Sequence, residues 1–212
     1  MSPLIQKLHP ALRLGQRLTM ATSGKPLFSR QGGWDGGSTL HCTAMALALL
    51  GKLSDPVHVW RYAHGPEARF WDRASPHYLH GLTLAELASL IWELNCGLRP
   101  VTAEGRSAEV LRFCAQELAK GWPVVIGWHT QYPASAHAAL VVGVEGRQRA
   151  RGFVPHALLL LDPAETGPGL AAFNARLEFG KAGGRTTYVI ATGRRPVAIE
   201  GCVSIRRSDG TA

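Results

Sequence analysis

The order of helical and strand-like segments predicts an α+β fold for this chain of 212 residues. Apolar residues in the first half recur with helical spacing. The second half instead contains short runs rich in valine, isoleucine and leucine, separated by turn residues. Helices followed by strands favour separate helical and sheet regions over a wound parallel sheet. We therefore predict one domain over residues 1–212, with a helical lobe over about 1–121 and an antiparallel sheet lobe over about 122–207.

The predicted helical lobe has a central helix over residues 38–50, which is apolar on almost every side and stops before Gly51. A helix of this composition is expected to be buried. The remaining predicted helices cover residues 4–19, 83–94 and 107–120. The second begins with the capping box Thr83-Leu84-Ala85-Glu86, and Ser107 is the predicted cap of the third. Residues 58–80 follow neither the helical nor the strand period and are predicted to be a long surface excursion.

The predicted sheet lobe contains a hairpin that brings two polar residues together. Its strands are predicted over residues 123–128, 138–144, 154–161, 186–192 and 197–205, and residues 146–152 form the hairpin connection. His137 lies about nine residues before this connection and Asp162 about ten residues after it. Because the two distances from the turn are nearly equal, an antiparallel pair of strands places both residues side by side at the end away from the turn.

A glycine-rich loop, Gln31-Gly32-Gly33-Trp34-Asp35-Gly36-Gly37-Ser38, leads directly into the central helix. Ser38 then lies in the first turn, where free backbone N–H groups and the positive end of the helix dipole converge. A nucleophile at this point can attack a carbonyl while the N–H groups hold the oxyanion that forms. Gln31, seven residues earlier, is the predicted side-chain donor to that oxyanion.

A nucleophile, a histidine and an acid suit acyl transfer. His137 would take the proton of the attacking group, and Asp162 would fix its tautomer and stabilise the imidazolium. The residues predicted to bind substrate are Trp34, Gly37, Trp128, Tyr132 and Ala136. Core packing is the alternative role for Trp128 and Tyr132.

The order of these motifs resembles the papain-like cysteine peptidases, and looks most like the bacteriocin-processing peptidases that cleave double-glycine leaders. The motifs are Gln31, Asp35-Gly36, the small-residue helix 43–51, His137 with Val141-Val142-Gly143, and Asp162-Pro163. The resemblance covers about residues 28–192. It implies a papain-like fold, hydrolysis of a peptide or isopeptide bond through an acyl-enzyme, and glycine residues just before the scissile bond. Deamidation or acyl transfer at the same site is an alternative activity.

Ser38 departs from this pattern, because the family has cysteine there, and Thr39 stands where it usually has glycine. Serine lacks the low pKa with which a cysteine forms an ion pair with histidine, so a papain-type site with serine is normally almost inert. Three hypotheses stay open: an engineered Cys→Ser change in a peptidase, a natural serine in a non-catalytic peptide-binding relative, and Cys42 as the nucleophile. Cys42 lies one helical turn deeper on the same face, where core packing explains it better.

The net charge of +8 favours an acidic partner or substrate surface, but the arginines are spread along the chain without a basic motif interleaved with aromatic residues. We therefore predict a peptide or protein substrate and no nucleic-acid partner. No cofactor is predicted, and no metal site, because the histidines lack metal-ligand spacing.

The four cysteines are predicted to be buried free thiols, which favours a reducing compartment. No apolar run approaches the length of a membrane span, so no membrane association is predicted. Residues 1–22 lack the continuous apolar region of a secretory signal. The predicted location is the cytoplasm, or the exterior for an effector secreted without a classical signal peptide.

Overall fold

The computed structural model describes residues 3–12, 17–20, 23–33, 35–131, 134–150, 152–180 and 184–208. The α-helices in these residues are α1 (Ser38–Leu49), α2 (Gly65–Ala74), α3 (Leu84–Glu93) and α4 (Ser107–Ala119). The strands are β1 (Leu4–Leu8), β2 (Leu98–Glu104), β3 (Val124–Gln131), β4 (Ala134–Arg149), β5 (Gly152–Leu161), β6 (Ala175–Glu178), β7 (Thr186–Ile190) and β8 (Gly193–Arg207). Helices and one large antiparallel sheet confirm the α+β class.

The sheet closes on itself. Six strands run in the order β4-β3-β8-β7-β6-β5, and β5 pairs back to β4. β1 extends the sheet by pairing with β4, and β2 does so by pairing with β8. The predicted hairpin is confirmed, since β4 and β5 pair from Arg149–Gly152 to Leu140–Leu161. This pairing stops at Leu140, two residues short of Ala138, and α1 contacts β4 at Ala138.

Two hydrophobic clusters occupy the two faces of the sheet. Alternation along β3 shows the division, because Val125 packs in the cluster around α1 while Val124 and Ile126 pack in the cluster that includes residues of α4. Ten of the 12 residues of α1 are buried, which confirms it as a central helix. Gly51 follows it with a φ of 72°, a left-handed conformation that glycine adopts without strain.

The predicted helix over residues 4–19 is wrong in its first part, which forms β1. Its apolar residues also fit a short strand, and the free edge of β4 over residues 143–147 provides hydrogen-bond partners. β2 likewise joins the sheet from within the predicted helical lobe. The boundaries of the two lobes stay a prediction, but the strands are not confined to the second one.

Two further elements were not predicted, namely α2 and β6. The segment predicted as an irregular excursion contains α2, whose buried residues include Phe70 and Ala74. The four residues of β6 are too few to show a period, and they form a strand because β5 and β7 flank them. The capping box of α3 is confirmed, with Thr83 as the N-cap. Ser107 is the first residue of α4 rather than its cap, which is Arg106.

Candidate active site

The candidate active site lies where the first turn of α1 contacts β4. The backbone N–H of Ala138 donates to Ser38 Oγ over 3.3 Å. One turn later, Cys42 Sγ donates to the carbonyl oxygen of Ala138 over 3.7 Å. Because β5 no longer pairs with β4 here, both polar groups of Ala138 are free to bond to α1. The packing of the helix on the strand therefore fixes residue 38 next to His137.

Asp35 organises the loop before α1. Its buried carboxylate accepts hydrogen bonds from Gly32 N at 2.6 Å and from Gly37 N at 3.1 Å, so it links both ends of the glycine-rich turn. Gly36 packs against a neighbouring backbone segment, where a Cβ atom would lie 2.5 Å from Leu79 O. Only glycine fits at this close approach. These contacts fix the direction from which the chain enters α1.

Gln31 connects this loop to the acidic end of β5. Its backbone N–H donates to Pro163 O over 2.8 Å, and its Nε2 donates to Asp35 O. The amide has a second N–H that this bond does not use. In α1, His41 N donates to Gly37 O, so the N–H groups of Ser38 and Thr39 precede the first intrahelical bond. The N–H groups of α1 are thus available at residue 38, whereas Gln31 is absent from the described lining of the cleft, so its predicted role as an oxyanion donor stays a prediction.

His137 and Asp162 form the predicted pair. His137 Nε2 lies 2.8 Å from one carboxylate oxygen of Asp162 and 2.9 Å from the other. Asp162 has no exposed surface, whereas the His137 side chain keeps 19%. With Nε2 held by the acid, Nδ1 is the ring atom left to exchange a proton with residue 38. Ser38 Oγ itself bonds to Ala138 N, and the described contacts include no hydrogen bond from it to the imidazole.

The buried charge of Asp162 has further partners, which sequence reasoning missed. The hydroxyl group of Tyr188, in β7, donates to Asp162 Oδ2, and Ala164 N donates to Oδ1 over 2.9 Å. The side chain of Asn174 accepts from Asp162 N and donates to Asp162 O. Burial and the neighbouring carboxylate raise the pKa of Tyr188, which keeps it protonated as a donor. A tyrosine within an apolar strand was the only signal in the sequence for this role.

The cleft above Ser38 has a volume of about 350 Å³. Ser38, His137 and Ala136 lie on its surface, and Asp162 lies behind His137. The cleft is lined by residues 80–84 and Glu86 together with residues of β3, β4 and β8. The structure thus brings Ser38 and His137 to one cleft, and their catalytic role stays a prediction.

Two predicted cleft residues are placed elsewhere. Trp128 is only 1% exposed, and its ring packs edge-on against the His137 ring with 5.0 Å between the ring centres. It therefore packs in the core beneath the site, and its predicted place on the cleft surface is wrong. Gly37 is buried as the N-cap of α1, and Gly36 lines the cleft instead. Trp34 and Tyr132 lie outside the described residues.

Cys42 is a poor candidate for the nucleophile. It is completely buried, and its thiol contacts a backbone carbonyl rather than a histidine. Burial, with the nearby charge of Asp162, raises the pKa of Cys42 well above that of a free thiol. All four cysteines are unpaired, and Cys42, Cys114 and Cys202 are buried.

The hydrogen bond from Tyr188 to Asp162 is expected to contribute strongly to stability. Tyr188→Phe leaves one oxygen of a buried carboxylate with fewer donors, so the free energy of unfolding should fall by about 1.5–3 kcal/mol. Urea denaturation measures this loss. Tyr62→Phe is the matched control, because Tyr62 donates to Asp55 at a partly exposed site; its loss should stay below about 1 kcal/mol. Equal losses in the two variants would contradict this role of Tyr188.

No family model matches the chain, and no curated protein matches it significantly. None of the helices in the described part of the chain has the length and apolar character that crossing a membrane requires. Within the same residues, no three His, Cys, Asp or Glu side chains are grouped so that they could ligate one metal ion.

Proposed function

We propose that the cleft is a papain-like acyl-transfer site that hydrolyses peptide or isopeptide bonds when residue 38 is cysteine. With serine at this position, the chain binds its substrate and turns it over slowly at best. The observation that carries the proposal is that the His137–Asp162 pair and Ser38 meet at one cleft. Ser38 lies at the N-terminus of a buried helix and lines this cleft. The helix dipole and the histidine both favour an ionised nucleophile at residue 38.

The reaction begins when the nucleophile of residue 38 attacks the scissile carbonyl and its proton passes to His137 Nδ1. The backbone N–H of residue 38 and the second N–H of the Gln31 amide stabilise the oxyanion. His137 then protonates the leaving amine, and the acyl group stays on residue 38. In the second step His137 takes a proton from water, which attacks the acyl carbon; the bond to residue 38 breaks, the acid leaves, and His137 returns the proton to residue 38. Asp162 stabilises the imidazolium in both steps.

A non-catalytic peptide-binding module is the second candidate function, and the serine itself favours it. Ser38 Oγ accepts a hydrogen bond from Ala138 N, and the described contacts do not join it to His137. A hydroxyl in this arrangement is not activated by the base. Deamidation and acyl transfer start from the same acyl-enzyme and differ only in the leaving group or the acceptor.

Peptide cleavage by Ser38→Cys tests the proposal. The substrate is an extended peptide with Gly-Gly before the scissile bond, as the resemblance to double-glycine peptidases implies. We expect cleavage after the second glycine, and a decrease of about ten- to a hundredfold in kcat/KM when that glycine becomes valine, because added methyl groups overpack a narrow cleft. Mass spectrometry of the products locates the cut.

The unchanged chain and Ser38→Ala are the controls, and both should bind the peptide without measurable cleavage. Equal cleavage after glycine and after valine would remove the double-glycine specificity but leave the mechanism. Binding of the peptide without cleavage by Ser38→Cys would favour the binding module over the hydrolase.

A further inference from the structure

The cleft extends from Ser38 across β3 to a carboxylate that the proposed reaction does not use. Ala138 contacts Ser38 Oγ and pairs with Gly127 in the neighbouring strand. A Cβ atom on Gly127 would lie 3.2 Å from Glu200 Oε2. The carboxylate of Glu200 is therefore roughly 10 Å from residue 38, which corresponds to about two or three residues of an extended peptide.

Glu200 lacks a permanent cationic partner. Its only ion pair within the described residues is with His129, whose Nε2 lies 3.3 Å from Glu200 Oε2 and whose side chain is half exposed. Among the described residues that line the cleft there is no lysine or arginine, and the second carboxylate is that of Glu86, which accepts hydrogen bonds from Thr83. The described lining therefore contains two carboxylates and neither of the permanent cations, in contrast to the net charge of the whole chain.

The space beside Glu200 also has an apolar side. Leu84 Cδ1 also lies 3.2 Å from the position that a Cβ atom on Gly127 would take. Glu200 and Leu84 therefore approach closely over Gly127, and all three residues line the cleft. Lysine and arginine combine an aliphatic stem with a charged head, so the stem fits against Leu84 while the head reaches Glu200.

We propose that Glu200 selects substrates with a lysine or arginine two or three residues from the scissile bond. This inference rests on the proposed function, since it assigns a substrate class to the same cleft. The interaction is partly exposed, so it is expected to change kcat/KM by about five- to tenfold at low salt and less as ionic strength rises. Net charge acts differently, because it changes the long-range attraction of the whole substrate.

The test uses acetylated and amidated Gly-Gly peptides in which a single lysine is the only charge. The lysine is placed at the second or third position before or after the scissile bond, and each peptide has a partner with Nε-acetyllysine, which keeps the stem and removes the charge. With Ser38→Cys, lysine at one of these positions should raise kcat/KM by about five- to tenfold. Adding Glu200→Gln should remove the preference.

Glu93→Gln is the matched control. Glu93 lies at the far end of α3, pairs with Arg73, and its loss changes the net charge by the same amount. This variant should keep the preference for lysine. Equal rates for lysine and acetyllysine at every position, or a preference that survives Glu200→Gln, would overturn the inference while cleavage itself would still support the hydrolase.

A binding measurement separates this inference from the proposed reaction. Fluorescence anisotropy gives the dissociation constants of the same peptides for the unchanged serine chain, with and without Glu200→Gln. If Ser38→Cys cleaves no peptide, a lysine preference in binding that depends on Glu200 still supports the inference. Binding without such a preference, or no binding of any of these peptides, overturns it.

Discussion

Ser38→Cys is expected to react with iodoacetamide at residue 38 first, and faster than a free thiol does at neutral pH. The first turn of α1 and His137 both stabilise a thiolate at this position. If the pKa of the introduced thiol falls below the pH of the assay, its thiolate fraction rises from a few per cent to nearly all. The rate of alkylation should then increase by roughly tenfold or more. Peptide mapping by mass spectrometry identifies the labelled residue over time.

The native cysteines provide internal controls for this experiment. Cys42 is fully buried with a raised pKa, and Cys96 is half-buried with a raised pKa, so both should react slowly. Adding His137→Ala to Ser38→Cys should slow labelling at residue 38 and leave that of Cys96 unchanged. Faster labelling of Cys42 than of residue 38 would refute the assignment of the nucleophile.

Substitution of His137 and Asp162 in the Ser38→Cys protein should cause unequal losses of turnover. His137→Ala removes the base and the acid together and should abolish nearly all activity. Asp162→Asn keeps the imidazole but orients it less well and removes the carboxylate charge that stabilises the imidazolium. It should therefore leave a larger residual rate than His137→Ala. Steady-state kinetics on the Gly-Gly peptide measures both variants.

Thermal unfolding of the same variants shows whether they remain folded. Asp162→Asn is expected to be the less stable of the two, because the amide cannot accept hydrogen bonds from both Tyr188 and Ala164 as the carboxylate does. If His137→Ala retained more than about a tenth of kcat, which corresponds to roughly 1.4 kcal/mol of barrier, His137 would not be the general base.

The sequence predicted the parts of the site that depend on local patterns. Counting residues on both sides of the hairpin placed His137 beside Asp162, because a paired ladder has a fixed rise per residue. The apolar character of α1 predicted its burial, and the capping box predicted the start of α3. Each of these features is encoded within a dozen or so neighbouring residues.

Features that depend on distant partners were not predictable in this way. β1 and β6 have five and four residues, and their pairing with β4, β5 and β7 decides their conformation. The role of Tyr188 depends on how β7 is placed in the closed sheet, which no local pattern encodes. Trp128 is a different case, since strand alternation puts it on the same face as Val124 and Ile126 and already indicated core packing.

The charge of the cleft shows a further limit of composition. The net charge of +8 predicted an acidic substrate, and long-range attraction of this kind remains a prediction. The described residues that line the cleft at residue 38, however, include Glu86 and Glu200 and no lysine or arginine. Local recognition follows the groups within a few ångströms of the substrate, which a sum over the whole chain does not contain.

Detection of an acyl-enzyme tests the central claim most directly. Ser38→Cys is mixed with an activated ester of a Gly-Gly peptide, quenched in acid after a short time, and analysed by intact mass and peptide mapping. We predict a mass increase equal to the peptide acyl group on residue 38, reduced strongly by adding His137→Ala. An acyl group on Cys42, or equal acylation at residue 38 with and without His137, would contradict the claim that Ser38, His137 and Asp162 form an acyl-transfer site.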